Sequence, residues 1–292
     1  MRELQRRSSG AGGLDLFWRV WLPDGEAVRA RVLVVHGYAE HGGRYRHVAE
    51  RLTESDLSVV VPDLRGHGRS GGRPVSVSRF DDYIDDLHQI ASEAERMDGR
   101  LPVILLGHSM GGLIAAVYAV RHESELRGLA LSAPAVVTGR IPPVTRAVGR
   151  LLARVAPEAG VLKLPWEKLS RDPAVLVAHR ADPWVHRHRI RARLGAEMLR
   201  AIDDVAAGLP RLTVPVLVMQ GTADAIVDPS AAPYVDSRVG SADRTVRQYP
   251  GLYHEILNEP ERARVLDDLM AWIEARLAVA PPSRAEQGFT AT

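Results

Sequence analysis

A chain of 292 residues, 46% apolar and 25% charged, has the composition of a globular protein and the length of one large α/β domain or two smaller ones. It contains no cysteine, which excludes disulfides, thiolate metal sites and a cysteine nucleophile. Its 38 basic and 36 acidic residues nearly cancel to +2, so outside one segment taken up below there is no single-signed patch of the kind that holds nucleic acid.

The N-terminal residues Met1 to Arg7 are basic, but no apolar stretch of about 7–15 residues follows them as a secretory signal requires. Nowhere do about 18 apolar residues run together, so no membrane-spanning helix is expected and the chain reads as a soluble, cytoplasmic protein. Short apolar runs predict strands at Arg31–His36, Ser58–Pro62, Pro102–Leu106, Leu126–Ser132, Val214–Gln220 and Thr245–Tyr249. Helical patterns fall between them, near Tyr45–Glu54, Ser78–Arg96, Gly112–His122, Ala231–Val239 and Glu261–Leu277. This alternation argues for an α/β fold with a mostly parallel central sheet and helices on both faces, and runs that are apolar throughout fit strands covered on both sides. The rhythm breaks over residues 137–208, which lack a comparable strand-like run and read as a helical cap or lid inserted between two parts of one core, 12–136 and 209–278. Residues 279–292, with Pro281 and Pro282, read as a flexible tail.

The most telling stretch is Gly107-His108-Ser109-Met110-Gly111, directly after the apolar run Leu101 to Leu106 and before the Ala-rich run Leu113 to Val120. Gly-x-Ser-x-Gly at the end of a strand and the start of a helix lets a serine sit on a strained turn, because glycines two residues either side remove Cβ atoms that would clash. The chain carries its own control. Gly68-Arg69-Ser70-Gly71-Gly72 fits the same spacing, but Arg73-Pro74 follows and no apolar helix begins there, so Ser70 reads as a polar loop residue.

A serine hydroxyl needs a base, and the base needs an orienting acid. On a parallel sheet with such an elbow the expected order is serine, acid, histidine, with the chemistry at the carboxyl ends of strands. Asp224, just past the strand Val214–Gln220, fits as the acid. Asp228 is the alternative, though Pro229 behind it suggests a helix cap; Asp172, Asp182, Asp203 and Asp204 fall within the insertion. His254, in the glycine-bearing loop after the last strand, fits as the base. His179, His186 and His188 qualify by order alone, but Trp184 to Arg189 reads as a solvated helix face on which residues two apart point to different sides. For the oxyanion, the N–H of Met110 and that of Tyr38, behind His36-Gly37 at a strand end, are the candidate donors. His36 and His41 could be taken for a metal pair, but no third ligand is near, and the elbow accounts for the chemistry with neither metal nor cofactor.

Together these blocks resemble the α/β-hydrolase superfamily, and within it the monoacylglycerol lipase branch of serine hydrolases. The resemblance rests on His36-Gly37-Tyr38-Ala39-Glu40-His41 with Arg44-Tyr45, on Pro62 to Ser70, on Gly107 to Gly112, on Leu212 to Pro215 leading to Gly221-Thr222-Ala223-Asp224, and on Tyr253-His254-Glu255 with Asn258-Glu259-Pro260. It implies Ser109 as nucleophile, Asp224 and His254 as its partners, Tyr38 and Met110 as oxyanion donors, and Glu40 and Arg44 as part of the hydrogen-bonding network around the site. It also implies a structural role for Pro62 to Ser70. Some family members carry a second histidine three residues after the catalytic one; Leu257 stands there in this chain.

The activity so implied is hydrolysis of monoacylglycerols to glycerol and fatty acid through an acyl-enzyme, on a lipid ester substrate and with no cofactor. A lysophospholipase, a general carboxylesterase or a serine aminopeptidase would share the triad. A non-catalytic binding protein on this fold would be expected to lack one of its members. In the insertion, Val144, Ala147, Val148, Leu151, Leu152 and Val155 share one helical face and Arg146, Arg150 and Arg154 another. Such a helix either lies on a lipid surface, giving peripheral membrane contact, or packs its stripe onto the core with its arginines in water.

Overall fold

The computed structural model describes residues 1–278 apart from Glu26, Arg140 and Ile141, so the expected tail at 279–292 lies outside the described residues. The chain opens with a hairpin of β1 (Arg2–Ser9) and β2 (Asp15–Leu22), paired antiparallel from Arg2 opposite Leu22 to Ser9 opposite Asp15. There follow β3 (Ala30–Val35), α1 (Arg46–Thr53), β4 (Leu57–Pro62), α2 (Asp81–Asp98), β5 (Val103–His108), α3 (Met110–His122) and β6 (Gly128–Ser132). After the insertion come β9 (Val216–Gly221), α7 (Ala231–Asp236), β10 (Arg244–Tyr249) and α8 (Arg262–Leu277); its own elements are α4 (Pro143–Val155), β7 (Gly160–Leu162), α5 (Pro173–Ala181), β8 (Ile190–Arg191) and α6 (Ala192–Gly208). One sheet runs β1-β2-β4-β3-β5-β6-β9-β10, with every pairing from β4 to β10 parallel.

The continuous apolar runs have the expected cause: alternate side chains of one strand enter opposite layers. Leu33 and Val35 pack into a core with α2 and α3 residues such as Leu87 and Leu113, whereas Val32 and Val34 pack against Leu52 of α1 and Leu269 of α8. All four strand residues are essentially inaccessible. At about 25 cal/mol per Å2 of apolar surface, these two layers supply the main drive to fold.

Three features depart from the sequence reading. The sheet begins at residue 2, ahead of the expected start at 12, because β1 and β2 form strands by pairing with each other and β2 with β4. The insertion holds a short antiparallel pair, β7 with β8, besides its helices. Residues 185–189 are not helical, so His186 and His188 stack their rings 6.0 Å apart where a helix would have turned them to different sides.

Candidate active site

β5 delivers the serine. Ser109 follows its last residue with φ 56° and ψ −119°, a conformation costing about 1–3 kcal/mol for a residue with a side chain. Sheet and helix hold it there: Ser109 N donates to Ser132 O at 2.9 Å, and Ser109 O accepts from Leu113 N at 3.1 Å and Ala135 N at 3.0 Å. The flanking glycines are required. A Cβ at Gly107 would lie 2.4 Å from Gly111 O, and one at Gly111 would lie 2.2 Å from Val35 O. Strand, turn and helix can therefore approach this closely only without those side chains.

Above the serine stands His254, with Nε2 2.9 Å from Ser109 Oγ and Nδ1 2.7 Å from Asp224 Oδ2. A carboxylate only accepts, so Nδ1 carries the proton and Nε2 is left to receive that of the hydroxyl. Asp224 is held on both oxygens: Oδ1 accepts from Ile226 N at 2.8 Å and Val227 N at 3.0 Å, and Oδ2 accepts from Gln220 Nε2 at 2.9 Å. Burial would raise its pKa, but the imidazole and the two amides outweigh burial and hold it below the usual carboxylate range. Burial likewise disfavours protonated His254, yet Asp224, then Glu255 and Glu40, bring its pKa above the ordinary value.

The alternatives weighed in the sequence fall elsewhere. Asp228 accepts from Ser230 N at 3.0 Å through its side chain and from Ala231 N at 2.9 Å through its backbone, a turn ahead of α7. Ser70 Oγ accepts from Phe17 N at 2.8 Å and donates to Asp63 O at 2.5 Å, which ties the β4 loop to β2. Leu64 N donates to His36 Nε2 at 2.9 Å, and His41 engages Gly43 N at 3.2 Å and Asp182 Oδ2 at 2.9 Å, so the two histidines do not converge as ligands. His179 lies apart from any solvated face: it is 4% exposed and lines the cleft over Ser109.

Glu40 and Arg44 belong to a buried network that reaches further than their spacing suggests. Glu40 Oε1 accepts from Gly37 N at 2.6 Å and Tyr45 Oη at 2.9 Å, while Arg44 Nη1 reaches Glu40 Oε2 at 2.6 Å. Arg44 also grips Glu255, the neighbour of His254, through both of its terminal nitrogens at 2.8 and 2.7 Å. Burial and then Arg44 are the main influences on both carboxyls, and the guanidinium wins, holding both below their ordinary pKa. The loop bearing Tyr38 and the loop bearing His254 are thus clamped through one arginine. Gly37 N is committed to Glu40, whereas Met110 opens α3, where backbone N–H groups have no partner within the helix, and Tyr38 lines the cleft beside Ser109.

The cleft holds only about 20 Å3, roughly one water, beneath Leu164, Trp166 and Leu169 of the insertion. Trp166 stacks on the Tyr38 ring at 6.4 Å, and Leu169 O accepts from Glu255 N at 2.8 Å. Leu257 is buried in the core and does not line this space. The sequence assigns no role to Gln220 or Glu255 and offers His179 only as a base by chain order; the partners of Glu255 lie far away in sequence and that of Gln220 beyond the strand end.

The sequence profile described as serine aminopeptidase, S33, matches residues 26–261. The monoacylglycerol lipase of Mycolicibacterium smegmatis is 40% identical over 92% of this chain and 96% of that protein. The chain belongs to the α/β-hydrolases, in their monoacylglycerol lipase branch. The human monoglyceride lipase is 34% identical over 92% of this chain and 90% of its own length. Among solved structures, the monoacylglycerol lipase of Paleococcus ferrophilus superposes with a TM-score of 0.78 at 26% identity, covering 94% of this chain and all of that one. Among the described residues, most of the exposed large apolar side chains lie in the insertion between β6 and β9. Val144, Val148, Leu151 and Val155 of α4 are 50–74% exposed, while Leu152 is half-buried and Ala153 is buried.

Proposed function

We propose that the protein hydrolyses the ester bond of monoacylglycerols, with Ser109 as nucleophile, His254 as base and Asp224 as the orienting acid. The observation that carries this is the relay Ser109 Oγ–His254 Nε2–His254 Nδ1–Asp224 Oδ2, with links of 2.9 and 2.7 Å, in a chain 40% identical to a monoacylglycerol lipase. His254 takes the hydroxyl proton as Oγ attacks the ester carbonyl carbon, and the N–H groups of Tyr38 and Met110 receive the developing oxyanion. The proton then passes from His254 to the glycerol oxygen as the C–O bond breaks. A water, deprotonated by the same histidine, attacks the acyl carbon; the bond to Ser109 Oγ then breaks, His254 returns the proton to Oγ, and the fatty acid leaves. Every step is served by the chain's own groups.

A monoacylglycerol is far larger than the 20 Å3 above Ser109, so the insertion, which contributes Leu164, Trp166 and Leu169 to the cleft, serves as a cap that moves to admit the acyl chain. The solvent-facing stripe of α4 supports contact with a lipid surface: a stripe that packed on the core would not leave four valine and leucine side chains half or more exposed. Among the described residues no helix is long and apolar enough to cross a membrane. This contact is therefore peripheral, with the substrate drawn from the surface on which the cap rests.

A turnover panel of monoacylglycerols, lysophospholipids and amino-acid amides tests the reading. Monoacylglycerols should give the highest kcat/KM; faster turnover of amino-acid amides would make the protein a peptidase on the same triad.

A further inference from the structure

At the far end of α3 from Ser109, three donors that the proposed reaction does not use converge. His88 projects from α2, His122 is the last residue of α3, and Glu125 follows in the turn before β6. His88 Nδ1 stands 3.4 Å from Glu125 Oε2 and His122 Nδ1 stands 3.3 Å from Glu125 Oε1. The donor atoms of all three lie within 4.8 Å of one another. Ligands about 2.1 Å from a tetrahedral ion are about 3.4 Å apart, so each histidine already stands one such edge from a Glu125 oxygen, His88 from Oε2 and His122 from Oε1. We propose that His88, His122 and Glu125 bind a divalent transition-metal ion of the zinc type, joining α2 to α3.

The donor set is what such an ion selects: two imidazole nitrogens and one carboxylate, with a further position left for water. The side chains are already ordered for the task. The two rings stack 4.5 Å apart at 18°, and His122 also lies 4.6 Å from the Tyr118 ring. Tyr118 donates its hydroxyl to Glu125 Oε2 at 2.6 Å. That hydrogen bond fixes the carboxylate's orientation, the outer-shell role that tunes metal sites. Access is open, since a cavity of about 380 Å3 lined by His88, Tyr118 and Glu125 runs beside the cluster and all three ligands are partly exposed. His122 is about 20 Å along α3 from Ser109 at the helical rise of 1.5 Å per residue, so the ion acts on the α2–α3 junction and not on the reacting atoms.

The test is calorimetric titration of chelator-treated full-length protein with Zn2+, repeated with Co2+ while its visible d–d absorption is recorded. One ion per chain, a tetrahedral Co2+ spectrum and a melting temperature that rises with Zn2+ are expected. His88→Ala/His122→Ala should abolish all three and leave metal-free ester hydrolysis unchanged, and Tyr118→Phe should weaken binding by about 10–100-fold. Should the double variant fail to fold, Glu125→Gln, which keeps the side-chain volume, serves in its place. Absence of saturable binding to the wild type overturns the proposal, as does stoichiometric binding that survives loss of the ligands.

Discussion

Arg44 and Glu255 lie 211 positions apart and form a two-pronged ion pair at 2.7 and 2.8 Å, both side chains almost wholly enclosed. Because Glu255 adjoins His254 and Arg44 also holds Glu40, which holds Gly37, one guanidinium ties the His254 loop to the loop bearing Gly37 and Tyr38. Arg44→Met leaves two buried carboxylates without their cation. Breaking a buried pair in this way costs about 3–5 kcal/mol, which urea denaturation would read directly. A loss below about 1 kcal/mol would show that the pair is dispensable.

The acid assignment separates two neighbouring aspartates. Asp224→Asn removes the acceptor that selects the tautomer of His254, and kcat should fall by about 10⁴. Asp228→Asn alters a turn before α7 and should change kcat little. Gln220→Leu should cost less than Asp224→Asn, because Ile226 N and Val227 N still hold the carboxylate. Steady-state kinetics on one ester decides the ranking, and a larger loss from Asp228→Asn reverses the assignment.

The pH profile follows from the raised pKa of His254. The base works only when neutral, so kcat/KM should fall on the acid side with a midpoint above 6.5, the ordinary histidine value. Stability has the opposite sign for this group: its contribution is fully present below about 6.5 and is lost as pH rises through the folded value. Asp224, held low, stabilises above about 3.9 and ceases to do so as pH falls through its own folded value. A kcat/KM limb centred below 6 would contradict the electrostatics of the site.

The α4 stripe makes a surface prediction. Val148 and Leu151 are 50% and 59% exposed, so changing both to Ser removes little buried area and should leave the melting temperature nearly unmoved. Vesicle binding and turnover of long-chain monoacylglycerols should drop, while a short water-soluble ester is hydrolysed as before. Equal loss on both substrates with a lowered melting temperature would mean that the stripe is packed against protein.

How far the sequence foretold all this varies with the range of the interaction. The inner parallel strands were legible because each is apolar enough to fill two layers, and α1 and α2 because one face repeats. Ser109, Asp224 and His254 were legible because each follows a strand at its carboxyl end, and the glycines around Ser109 encode a local strain that few other turns need. β2 was hidden by Arg19, a charge in mid-strand that is buried against Asp63 at 2.7 Å, Glu3 at 3.9 Å and the Phe17 ring. β1 was hidden because most of its side chains are polar or exposed and its partner makes it a strand. Arg44 with Glu255 depends on how the loops after β3 and β10 meet, and His88 with His122 and Glu125 on how α2 and α3 settle on the sheet, which no local pattern records. The α4 stripe was legible as a stripe, but only the packing of the insertion shows which side it faces.

The central claim is that Ser109 carries the acyl group, and rapid acid quenching during turnover of a monoacylglycerol, followed by peptide mass spectrometry, tests it most directly. The acyl mass is expected on the peptide bearing Ser109, absent in Ser109→Ala with kcat lowered by about 10⁶, and unaltered in Ser70→Ala. An adduct on Ser70, or undiminished hydrolysis by Ser109→Ala, would contradict it.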